Sequence, residues 1–159
     1  PYHMIRTAIL AALAAIAFLP ASVSAQEVEV PYWASISAEE ANMRVGAGEQ
    51  FPIEWVYERP GLPVKVVRRH QGWRLVQEPD GTQGWMFSGL LSDARTAIVT
   101  GEELAPMRES GSDQAALRWN LQPGVTGALI QCAANWCELN VDGHRGWVEQ
   151  DRLWGAGEP

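Results

Sequence analysis

The chain has 159 residues, 47% of them hydrophobic, which is room for one ordinary domain or two small ones. Its formal charge is −7, and that excludes nucleic acid as a partner, because a phosphate-binding surface needs a basic patch. The one basic stretch, Lys65, Arg68, Arg69, His70 and Arg74, reads as a solvated strand and turn.

Taken in order, the chain first shows Arg6, then an apolar run over residues 8–19, then Pro20 and the small residues Val23-Ser24-Ala25. This is the pattern of a secretory signal peptide, with cleavage expected after Ala25. The apolar run is short for a bilayer span, and no cysteine follows it. The expected mature protein is therefore periplasmic or secreted, with no membrane anchor after cleavage. The three residues before Met4 are set aside.

A short strand is expected over residues 32–36, followed by a polar stretch. Met43-Arg44 then precedes a Gly-rich loop, Gly46-Ala47-Gly48. Met107-Arg108 precedes a second such loop, Glu109-Ser110-Gly111-Ser112. The correspondence continues at a nearly constant offset. Trp55 matches Trp119, Pro60-Gly61 matches Pro123-Gly124, and Gly72-Trp73 matches Asn135-Trp136. Asp80-Gly81 with Gly84-Trp85 matches Asp142-Gly143 with Gly146-Trp147, and Leu91 matches Leu153. Such regularity reads as an internal duplication. Asp-Gly between two β-rich runs is a hairpin signal, and here it occurs twice.

The short runs between Gly, Pro, Asn and Asp point to an all-β sandwich or barrel. Residues 113–121 have some helical promise, but their counterpart in the first copy is a β-rich loop ending at Pro-Gly. The expected organisation is repeat one over residues 33–91, a linker strand within 92–103 and repeat two over 104–155. A strand over residues 95–99 would close or bridge the two units. Each unit is near the lower limit of independent stability, so the copies are expected to pack on each other or share strands.

Cys132 and Cys137 flank a hairpin turn, where facing residues come within disulfide reach. In an exported protein they are expected to oxidise and hold the hairpin register. No metal site is indicated, since His144 stands without further ligands. In residues 136–141 the odd positions, Cys137, Leu139 and Val141, must face the core. Trp136 then faces outward, and Trp73 shares its place in repeat one. Trp85 and Trp147, each beside a glycine, read as structural.

The ordering of Met43-Arg44-Val45-Gly46, Gly61-Leu62-Pro63-Val64, Gly72-Trp73 and residues 84–91, with Met107-Arg108 opening a second set, resembles the bacterial SH3-like domains in their exported tandem form. The resemblance spans Trp33 to Trp154. It implies two tandem small SH3-like β-barrels, each of five strands. Members of the wider family bind peptides or cell-wall material, often beside a hydrolase. The acidic-aromatic entry motif of eukaryotic SH3 domains is missing here, and Phe87, Leu90 and Glu149 stand where their ligand face has other residues. Recognition of proline-rich helices is therefore not carried over.

Two functions follow. In the first, the protein is a non-catalytic envelope module that binds a cell-wall fragment through an aromatic face of Phe51, Trp55, Tyr57, Trp73 and Phe87. In the second, the same aromatics serve protein–protein contacts in a scaffold, with an envelope protein as partner, or fill the space between the barrels. An enzyme is not expected. His70 and His144 lie in turns, and Glu54, Glu58 and Asp80 form no carboxylate pair that sequence separation can establish. No cofactor is implied.

Overall fold

A computed structural model of the chain describes residues 27–159. The signal-peptide reading and its cleavage point lie outside the described residues. Within them the protein is all-β, with two short 3-10 turns and no α-helix. Residues 113–121 contain the strand Leu117–Leu121, not a helix.

The first sheet holds β1 (Tyr32–Ile36), β2 (Ala41–Arg44), β3 (Ile53–Tyr57), β4 (Pro63–His70), β5 (Trp73–Gln77), β6 (Gln83–Phe87) and β7 (Leu91–Ser92), in the order β3-β2-β6-β5-β4-β1-β7. The second holds β8 (Thr96–Val99), β9 (Ala105–Arg108), β10 (Leu117–Leu121), β11 (Thr126–Ala133), β12 (Trp136–Val141), β13 (His144–Glu149) and β14 (Leu153–Trp154), in the order β10-β9-β13-β12-β11-β8-β14. Every strand thus recurs seven strands later in the same place, and the duplication read from sequence is a duplication of fold. Each sheet has seven strand segments where the resemblance implied five. The two-residue β7 and β14 add a short segment, pairing with β1 and β8 after a 3-10 turn. The strand expected over residues 95–99 is β8. It is the counterpart of β1 and belongs wholly to the second sheet, pairing with β11 and β14.

The two cores are built from matching positions. Met43, Tyr57, Val76 and Met86 are buried in the first, and Met107, Leu121, Leu139 and Val148 in the second. The paired Gly-Trp motifs have a steric origin. A Cβ at Gly84 would collide with the Met43 side chain, and one at Gly146 would lie 2.7 Å from Met107 Cγ. The strand must therefore be bare where the buried methionine of the neighbouring strand crosses it. The arginine after each methionine clamps the following loop. Arg44 Nη1 donates to Phe51 O at 2.8 Å, and Arg108 Nη1 donates to Ala115 O at 3.0 Å.

The two Asp-Gly turns differ in detail. Asp142 and Gly143 both have positive φ, 50° and 89°, and join β12 to β13 as a two-residue turn of the kind hairpin twist favours. Asp80 instead sits in a five-residue connection, where its Oδ1 accepts from Thr82 N at 2.9 Å. That hydrogen bond holds the Asp80 carboxyl below its ordinary range.

Cys132 and Cys137 face each other across β11 and β12 and form a disulfide. Closing so short a loop stabilises by about 2 kcal/mol on chain-entropy grounds. Reduction is expected to lower the thermal midpoint by roughly 5 °C or more, measured by circular dichroism with and without reductant. An unchanged midpoint would mean the strand ladder alone holds the register.

Candidate functional site

The five aromatic residues expected to form one face do not all do so. Trp73 and Phe87 are brought together. They are register partners on β5 and β6, with ring centroids 5.8 Å apart at 67°. Both line a shallow hollow of about 180 Å³, with Asn42, Arg44, Glu49 and Leu90 around them. Phe87 is 49% exposed. Phe51 packs its ring on Gly46 in the loop that Arg44 clamps, beside the hollow.

Tyr57 is a correction to the outward face. It is 7% exposed and belongs to the core. Its register partner is Ala41, a residue small enough to leave room for the inward ring. The Tyr57 hydroxyl donates to Met43 Sδ at 3.7 Å. Burial first, and then the Glu78 carboxylate, push the phenol above its usual range. Trp55, two residues earlier, lies on the same side of β3 by alternation. It is 60% exposed, but it stands on the side away from Asn42 and Arg44 and does not join the Trp73–Phe87 pair.

The corresponding place in repeat two has a different character. Trp136 occupies the position of Trp73, but Glu149 replaces Phe87 and Arg152 replaces Leu90. The alternation read for β12 holds. Cys137 and Leu139 are buried, while Trp136 and Glu138 face the other side. Trp136 and Trp147 cover Gly111 of the preceding loop, so part of the Trp136 surface is spent within the repeat. The two histidines each meet a tryptophan. His70 lies 6.4 Å from Trp85, edge-on, and His144 lies 4.9 Å from Trp119.

Sequence reasoning missed the aromatic contact that joins the repeats. Trp33 of β1 and Trp154 of β14 meet at 5.0 Å, nearly perpendicular. Lys65 Nζ lies 5.3 Å from the Trp33 ring and 4.9 Å from the Trp154 ring. Trp33 Nε1 donates to Gly157 O at 3.0 Å, and Arg59 Nη2 donates to Thr126 Oγ1 at 2.9 Å. The space between repeats is therefore filled by residues other than the Trp73–Phe87 pair. Much of the basic stretch is also committed internally. Lys65 serves this contact, Arg69 pairs with Glu27 at 3.1 Å, and Arg74 Nε donates to the Tyr32 hydroxyl at 3.2 Å. A signal for the Trp33–Trp154 contact did exist in the sequence. Six of the eight tryptophans match across the duplication, and only Trp33 and Trp154 have no counterpart.

A family model described as the bacterial SH3 domain matches residues 37–93 and again 101–155. No protein of curated function matches. Among solved structures, the chain is similar to NlpC2 from Trichomonas vaginalis, with TM-score 0.37 and 9% identity, over 80% of this chain and 49% of that one. It is similar to NlpC1 from the same organism, with TM-score 0.37 and 9% identity, over 81% of this chain and 47% of that one. An NlpC/P60 family protein from Bacillus cereus matches with TM-score 0.33 and 13% identity, over 77% of this chain and 56% of that one. The chain thus spans about half the length of each of these structures.

Proposed function

This chain belongs to the bacterial SH3 domain family, and from that premise we propose that it is a non-catalytic binding module of the cell envelope. Repeat one takes a cell-wall peptide or glycan segment on the Trp73–Phe87 face. The observation that carries this reading is an aromatic pair, exposed Phe87 with half-buried Trp73, left out of both the core and the contact between repeats. Such a pair offers flat apolar area at low entropic cost. Arg44, already fixed by two loop carbonyls, and Glu49 supply polar edges around it. The disulfide suits an oxidising compartment, consistent with an exported protein. Among the described residues no helix is long and apolar enough to cross a membrane.

Co-sedimentation with purified, insoluble peptidoglycan sacculi tests the proposal. The protein is expected to pellet with sacculi, and Trp73→Ala and Phe87→Ala are each expected to weaken binding by about tenfold or more, the range of a hot-spot aromatic. Full retention by folded variants would remove the site from this face. Absence of wild-type co-sedimentation would favour the scaffold reading, which crosslinking in the envelope would then pursue.

A further inference from the structure

The seam between the repeats holds a short irregular segment. Gly155-Ala156-Gly157 comes directly after β14. Counted from the matched pair Leu91 and Leu153, its counterpart in repeat one is Asp93-Ala94-Arg95, which runs into β8. The same positions therefore do different things. In repeat one they carry the chain onward, and in repeat two they turn back into the seam.

Three observations show how the segment is held. Ala156 is buried in the core of repeat two, in one cluster with Leu153. That is its anchor. Gly155 is buried and has a φ of 100°. A Cβ at this position would lie 2.8 Å from Pro63 Cβ of repeat one and would collide with the Thr96 carbonyl oxygen of β8. Bare backbone is thus wedged between the two sheets, in a conformation that glycine adopts without cost. Gly157 O then accepts from Trp33 Nε1 of repeat one at 3.0 Å. Arg95 Nη2 holds the segment from the side, donating to Gly155 O at 2.9 Å and to Gly157 O at 3.4 Å. Among the described residues one other side-chain hydrogen bond crosses between the repeats, from Arg59 to Thr126.

We propose that residues 155–157 are a clasp. Anchored in repeat two and hooked on Trp33, they lock the repeats into one rigid body, and their release lets the repeats move independently and uncovers Trp33. Arg95 sets the clasp by fixing both carbonyls, although it touches nothing in repeat one. Locked repeats present one preorganised surface, where free ones would have to be ordered on binding.

Hydrogen exchange at the Trp33 indole N–H of the full chain tests this. Arg95→Gln does not touch Trp33, yet it is expected to speed exchange there by about tenfold or more, the size of lost hydrogen bonds to a charged donor. Arg95→Lys, which keeps the charge but not the planar fork, should fall between Arg95→Gln and the wild type. Gly155→Ala, which forces the wedge against Pro63, should also speed exchange. Deletion of residues 157–159 leaves Ala156 in its core. In that variant each repeat should tumble faster by NMR relaxation than in the wild type, where both share one correlation time. Exchange at Trp33 unchanged in both Arg95→Gln and Gly155→Ala would overturn the proposal. So would a deletion variant that tumbles as the wild type does. The Trp73–Phe87 face lies outside the seam. Trp73→Ala should therefore leave Trp33 exchange unchanged, and Arg95→Gln should still pellet with sacculi, so failure of the clasp and failure of the binding reading are separable.

Discussion

Replacing Gly146 with alanine is expected to destabilise the second repeat by about 3 kcal/mol or more, the upper end of overpacking costs. On strand propensity alone the change should stabilise by about 0.5–1 kcal/mol. Packing reverses the sign. A Cβ at Gly146 would lie 2.7 Å from Met107 Cγ and 2.9 Å from the Arg108 carbonyl oxygen. Met107 is fully buried, and Arg108 contributes backbone held in the sheet by its pairing with Trp147. The Arg108 carbonyl cannot withdraw without opening the ladder. Gly84→Ala is the informative comparison. There the nearest atoms all belong to the Met43 side chain, and thioethers repack more readily than backbone. That variant should lose only about 1–2 kcal/mol. Urea unfolding followed by tryptophan fluorescence measures both. Gly146→Ala at or above wild-type stability would defeat the explanation offered for the repeated Gly-Trp motif.

Trp154→Ala is expected to split unfolding into two transitions, one for each repeat, where the wild type shows one. Trp154 meets Trp33 edge-on and shares Lys65 with it. Trp33 is only 9% exposed, so its cover is a substantial share of the inter-repeat contact. An aromatic pair adds about 0.5–1.5 kcal/mol beyond burial. A partly desolvated cation over a ring adds about 0.5–2 kcal/mol. With the lost apolar area, about 2–4 kcal/mol of coupling between repeats should disappear, less than the full cost of a completely buried tryptophan. Lys65→Met separates the contributions, since it keeps most of the apolar stem and removes the charge. It should shift the single transition without splitting it. Calorimetry reads both outcomes. A wild type that already unfolds in two steps, or a Trp154→Ala variant that still unfolds in one, would show that this contact does not couple the repeats.

The duplication was legible because it is written in residues with local duties. Arginine clamping the next loop and glycine at a turn each serve a need confined to a few residues, and methionine under a bare glycine serves one confined to a single repeat. The same need recurs at the same spacing in both copies. The disulfide was legible for a related reason, since its two cysteines are brought together by one short turn. The core face of β12 followed from alternation alone.

The aromatic face was only partly legible. Nearness in sequence suggested that Phe51, Trp55 and Tyr57 act together, yet strand alternation and a small partner, Ala41, send Tyr57 into the core and leave Trp55 on its side of β3. Trp73 and Phe87 are far apart in the chain and adjacent only through the β5–β6 register. The residues joining the repeats were the least visible. A contact between two copies of one unit is asymmetric, so its residues, Trp33, Lys65 and Trp154, fall outside the repeat pattern that organised everything else.

The all-β class, the two copies, the hairpin turns and the disulfide thus followed from the chain alone, because each depends on contacts closed within a few residues or on a simple period of two. Which tryptophans are core, which are surface and which bind the repeats together was decided only in the folded protein. That outcome depends on register between distant strands and on the docking of one barrel against the other, and neither is encoded in the spacing of any single motif.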